Sequence, residues 1–190
     1  MSVLAPAAAM GVAREADIEV AMLTFWKVHH GRRAVVTAIS PFIEHSRRIC
    51  NDIPARAWLD PYMVGFIATL ITLIAKRRYR SLEGNALAWI QASAWADLTG
   101  LDPEMIGEEI CLLSEAGNRL FELGCQNGVR FFQSLFPEQR RLSISNSDEF
   151  FDAFIHGVVA RDIETETLGQ SEAHSRDIDD LWSQYFEAYV

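Results

Sequence analysis

The chain has 190 residues, 49% hydrophobic and 23% charged, a globular composition long enough to bury one core with appendages. Its longest apolar run, Tyr62 to Ala75, falls short of the roughly 18 to 20 residues a membrane span needs, which excludes a bilayer-crossing helix. Three cysteines (Cys50, Cys111 and Cys125), odd in number and without a CxxC pair, exclude a disulfide framework and a cysteine zinc site and fit a cytoplasmic protein. The net charge of −9 is uneven: residues 1–142 hold fifteen basic against fifteen acidic side chains, and 143–190 hold two against eleven. A neutral body with an acidic appendage follows, one that solvates itself, binds a basic partner or folds back on basic patches.

The N-terminal stretch "MSVLAPAAAMGVAREAD" has the small and apolar residues of a signal peptide, but no Lys or Arg precedes Arg14, so 1–14 reads as a frayed, flexible lead. Residues 15–60 form an N-terminal helical unit. Ile18, Met22, Phe25 and Trp26 stand at helical spacing in a first helix over about 15–30, which Gly31 ends. A second covers 33–49, restarting at Ser40 and Pro41, before the break "NDIPARAWLD". Asp60 and Pro61 open a buried helix that closes on Lys76, Arg77 and Arg78. The segment "ALAWIQ" suits a short strand or the lead-in to a helix that Ser93 caps and Gly100 terminates. Asp102 and Pro103 start the next helix, with Ile106, Ile110 and Leu113 on its buried face and Gly117 at its end. "RLFEL" and "VRFFQSLF" read as two strands about "GCQNG", an Asn-Gly hairpin signal. The acidic tail, 138–190, offers a helix over 149–160, the linker "ETETLGQSEAHS" and a last helix over about 176–189.

Helix, short apolar link, helix, turn, helix and hairpin over residues 61–137 resemble the winged helix-turn-helix superfamily. Ala96, Gly100, Leu101, Ile106, Ile110, the "LLSEAG" ending at Gly117 and the "GCQNG" tip carry the resemblance. It implies a mainly α fold: a winged helix-turn-helix core with a β-hairpin wing, flanked by N- and C-terminal helices. In that superfamily the helix after the turn commonly enters the major groove and the wing lies along the backbone or minor groove.

On a helical wheel Glu104, Glu108 and Glu115 lie opposite the buried face of that helix, with Leu112 on its flank. DNA affinity rests on Lys and Arg displacing counterions, so carboxylates without a cationic clamp oppose groove entry and suit either a solvated face or a protein contact. Cations for a wing-led DNA mode are Lys76, Arg77, Arg78, Arg80, Arg119, Arg130, Arg140 and Arg141, with a second basic spot at His29, His30, Arg32 and Arg33. The last helix sets Ile178, Leu181, Trp182, Tyr185 and Tyr189 on one stripe, to be buried on the body, in a homodimer interface or in a partner's groove.

No HExxH, phosphate-binding glycine loop or GxSxG occurs, and no catalytic residue, metal or cofactor is expected. Cys125, near the hairpin tip, is expected to be exposed. The leading expectation is a non-catalytic interaction or dimerisation module in which the glutamate-faced helix and the C-terminal helix meet protein, either another copy as a homodimer or a regulatory partner. The alternative is a DNA-binding transcriptional regulator that uses the wing and basic patches, with the acidic tail tuning affinity.

Overall fold

The computed structural model describes residues 7–82, 84–104, 106–137 and 176–190. The expected helix over 149–160, the polar linker and the cations Arg140 and Arg141 lie outside them. The described helices are α1 (Ala7–Cys50), α2 (Ala55–Trp58), α3 (Pro61–Arg78), α4 (Gly84–Thr99), α5 (Ile106–Glu115), α6 (Arg119–Leu135) and α7 (Arg176–Tyr185), followed by a 3-10 turn at Glu187–Tyr189. None is long and apolar enough to cross a membrane.

The centre of the molecule is α3. Asp60 caps it, its carboxylate accepting from the Tyr62 N–H at 2.9 Å, and Pro61 supplies the preset first turn. Thirteen of its eighteen residues are buried, so neighbours cover it on every side. α1 runs antiparallel to it: His30 and Arg33 stand beside Ile74 and Arg77 at one end, while Ser46 and Tyr62 both hold α7 at the other. α4 packs on α1 and α3. On the opposite side α6 lies parallel to α3, with Gly124 against the Tyr62 carbonyl, and Gly128 so close that an added Cβ would meet the Phe66 carbonyl at 2.9 Å.

The β-hairpin wing is overturned. Among the described residues there is no strand, and "RLFELGCQNGVRFFQSL" is one helix. The all-α class fits; the winged architecture does not. Gly124 and Gly128, four residues apart, form a sideless track on α6 that meets Gly65 of α3, whose own missing Cβ faces the Phe121 carbonyl. Phe121, Cys125, Val129 and Phe132 follow helical spacing alongside, so burial of that face outweighs the turn preference of Asn-Gly. Asn127, in place of a turn role, is buried and donates to the Tyr62 hydroxyl at 3.0 Å.

Three boundaries also differ from the sequence reading. α1 is a single helix from Ala7, running through both Gly31 and Pro41. Gly31 lets α4 approach, since a Cβ there would stand 2.5 Å from Ile90 Cδ1. Pro41 and Thr37, whose carbonyl loses its partner, are both exposed, so water can serve that carbonyl. "ALAWIQ" belongs to α4 throughout, and Ser93 sits in mid-helix, donating to the Trp89 carbonyl at 2.6 Å rather than capping. Gly100 (φ 74°) and Gly117 (φ 58°) do end their helices. After Gly117, the Asn118 N–H reaches the Leu113 carbonyl at 3.1 Å while its side chain caps α6 through Leu120 and Phe121, so one residue closes α5 and opens α6.

Candidate interaction surfaces

α1 is 44 residues long, roughly 66 Å of helix, against roughly 27 Å for the eighteen residues of α3. Its described packing on the core begins at Val28 and runs through Val35, Ile39, Phe42 and Ile43. Immediately before Val28 the helix shows solvent four large apolar side chains: Met22 (68% exposed), Leu23 (55%), Phe25 (75%) and Trp26 (53%). Trp26 is held in place, its ring 4.2 Å from that of His30 and 6.5 Å from that of Tyr79. Contiguous exposed apolar surface of this kind marks an interaction site. The periodicity of Ile18, Met22, Phe25 and Trp26 was legible; that the last three face water was not.

The second surface is a cationic groove of about 360 Å³ where α1, the end of α3 and the residue after α6 meet. His30, Arg33, Thr37, Arg77 and Arg78 line it over a floor of Ala34, Ala38, Ile74 and Phe136. The Arg77 guanidinium stacks 4.0 Å above the Phe136 ring, fixing its orientation. Two basic spots separated by more than forty positions in sequence are thus one feature. Arg32 stands apart, its two hydrogen bonds to the Asp97 carboxylate (2.5 and 2.6 Å) spending its charge and raising its pKa further. Arg80 is exposed beyond the α3 C-cap, and Lys76 is half-buried; neither lines the groove. Arg119 and Arg130 are exposed on α6, on a helix and not on wing strands, and neither lines the groove.

On α5, Glu104 just before it, Glu108, Leu112 and Glu115 are all exposed, while Ile106 and Leu113 are buried and Ile110 is half-buried. An acidic face with a leucine on its flank results.

The stripe on α7 covers the chain's own body. Trp182 and Phe186 are fully buried, stacked at 4.3 Å, and Trp182 packs on Phe42, Phe66 and Phe131. The Trp182 indole N–H donates to Ser46 Oγ, whose hydroxyl donates to Glu187, both at 2.8 Å. The Tyr62 hydroxyl donates to the Tyr185 carbonyl at 2.7 Å, and its ring stacks 3.6 Å from that of Tyr189. Burial pushes the Tyr62 phenol up to about 12, against the lowering effect of the hydrogen bond from Asn127. Ile178, Leu181 and Tyr185 are half-buried, and only Tyr189, 39% exposed, offers sizeable area to another molecule. Of the three destinations open to this stripe, the body is the one it takes.

Cys125, expected at an exposed tip, is buried on α6, and desolvation pushes its thiol up to about 12, which keeps it an inert thiol. Cys50 and Cys111 are exposed. His29 and His30 pack edge to face at 5.5 Å, and among the described residues no three His, Cys, Asp or Glu side chains gather as a metal site. Comparison of the chain with family models, with curated proteins and with solved structures finds no match, so the surfaces themselves carry the functional argument.

Proposed function

We propose that this chain is a non-catalytic interaction protein whose principal contact surface is the exposed apolar face of α1, engaging another copy or a regulatory partner. The observation that carries the reading is Met22, Leu23, Phe25 and Trp26 standing in solvent on a helix that packs on the core from Val28 onward. The acidic face of α5, with Glu104, Glu108, Leu112 and Glu115, is a secondary contact. Among the described residues, no carboxylate or thiol lines the groove beside His30 and Thr37, which supports binding over catalysis there. A photo-crosslinking amino acid placed at Phe25 in cells should form protein adducts that the same group at exposed Arg56 does not. Equal yields at the two positions would sink the reading.

A second reading, binding of duplex DNA, draws on the convergence of Arg33, Arg77 and Arg78 in one groove. It expects anisotropy of a labelled duplex to rise at low salt, and the double variant Arg33→Glu, Arg78→Glu to lose at least about tenfold in affinity. Binding that ignores both salt and substitution removes it.

A further inference from the structure

We propose that the partner of α1 is an acidic segment of another protein, one that sets large apolar side chains on Phe25 and Trp26 and carboxylates in the groove beside them; this rests on the reading of α1 as an interaction face. The apolar face of α1 and the cationic groove are one surface, and Trp26 joins them. Its ring lies 4.2 Å from that of His30, which lines the groove. It also lies 6.5 Å from the ring of Tyr79, over which the guanidinium of Arg78, another groove residue, stands at 5.5 Å. Trp26 and Arg33, seven residues apart, share a face of α1 with roughly 10 Å between them along the helix. A partner that meets both carries a carboxylate about 10 Å from its apolar anchor, a spacing that a helix gives at i and i+7 and an extended strand at i and i+3.

Charge selects the chemistry of that partner. The chain is acidic overall, at −9, yet neither 22–43 of α1 nor 61–82, which includes all of α3, contains an Asp or Glu. Asp97 of α4 meets α1 at Arg32, which holds it. Arg33 and Arg78 are exposed, and among the described residues no carboxylate lines the groove with them. Carboxylates are the complement of such a surface, and arginine takes them through paired, charge-assisted hydrogen bonds. The shape favours a protein segment over a bilayer or a duplex. The cations and the apolar floor of Ala34, Ala38 and Ile74 form a recess of about 360 Å³, which side chains enter and a flat array of lipid headgroups does not. Duplex DNA presents phosphate to the cations but no apolar side chains to cover Met22, Leu23, Phe25 and Trp26.

The test is selection of phage-displayed random peptides on the full-length chain, followed by affinity measurement with the most enriched peptide made synthetically. Enriched peptides should carry net negative charge and place an acidic residue at that spacing from an aromatic or large aliphatic one. Phe25→Ala and the double variant Arg33→Glu, Arg78→Glu should each weaken binding of the synthetic peptide at least about tenfold, with thermal melts confirming that both variants fold. Basic or uncharged winners, no enrichment, or an affinity indifferent to either variant overturns the proposal. So does a photo-crosslinker at position 25 that joins a second copy, the same chain or lipid in place of another protein. Adducts to another protein without acidic enrichment overturn the acidic partner alone, whereas the absence of any intermolecular protein adduct overturns the interaction reading as well.

Discussion

Ser46 accepts from Trp182 and donates to Glu187 at 2.8 Å each, with its side chain wholly buried. Ser46→Ala strands the indole N–H in the core and should cost about 1–3 kcal/mol in urea denaturation, far more than the loss of one exposed hydroxyl. A change within error of zero would show that the latch holds α7 through apolar contact alone. Tyr62 offers a measurement along the pH axis. The unfolded phenol ionises near its ordinary 10.0, whereas the folded one stays neutral up to about 12, so this stabilisation is complete below pH 10 and falls as pH rises toward 12. Cys125 has the same sign, with the loss starting near 9.0. Tyr62→Phe should be less stable than wild type at neutral pH, through lost hydrogen bonds to Tyr185 and Asn127, yet decline less steeply above pH 10. Parallel stability profiles for the two proteins would remove Tyr62 as the cause.

At the scale of elements, the contact of α3 with α6 turns on glycine. An added Cβ at Gly124 would run into the backbone carbonyl of Tyr62, and backbone cannot rotate away as a side chain can. Gly124→Ala should therefore destabilise by about 3 kcal/mol. Gly107, in α5 with open space around its would-be Cβ, offers the contrast: Gly107→Ala should stabilise by about 0.5–1 kcal/mol through helix propensity. Thermal melts of the pair settle both, and two shifts of the same sign would contradict this account. The same glycines explain why the hairpin reading failed. "GCQNG" is locally a turn sequence, but its two glycines are four apart, and only a neighbour that itself presents Gly65 makes that spacing worth burying as a helix. Gly31 continues its helix instead of stopping it for the same reason: Ile90, far away in sequence, fills the space it leaves.

For the whole molecule, α7 is a core element supplied from the end of the sequence. Deleting 176–190 withdraws Trp182 and Phe186 from contact with Phe66 and takes Tyr189 off Tyr62. The truncated chain should lose at least about 5 kcal/mol, by comparison with single buried aromatic truncations, and its melting transition should broaden or vanish. A truncation that melts like the full chain would show the docking to be dispensable. Removing the acidic tail to expose basic patches is accordingly not a neutral operation, because the same cut takes out part of the core. Point substitutions at Arg33 and Arg78 probe the groove without that damage, since both side chains are exposed.

Local sequence is enough for the helical class, the capped start of α3 at Asp60 and Pro61, the burial of the helix over Tyr62 to Ala75, the face of α5 that meets water, and the need of the α7 stripe for cover. Each of these depends on spacing and capping within a turn or two, which the chain states locally. Tertiary structure alone decided that residues 119–135 form a helix, that α1 passes unbroken through Gly31 and Pro41, that two distant basic spots make one groove, and that α7 covers its own body. It also decided that Met22, Phe25 and Trp26, which spacing marks as a buried face, stand in solvent. For the glycine track, the charge cluster and the α7 stripe the reason is shared, since each acquires its meaning from the surface that residues far away in sequence bring against it, whereas Pro41, Met22, Phe25 and Trp26 are settled by standing exposed to water.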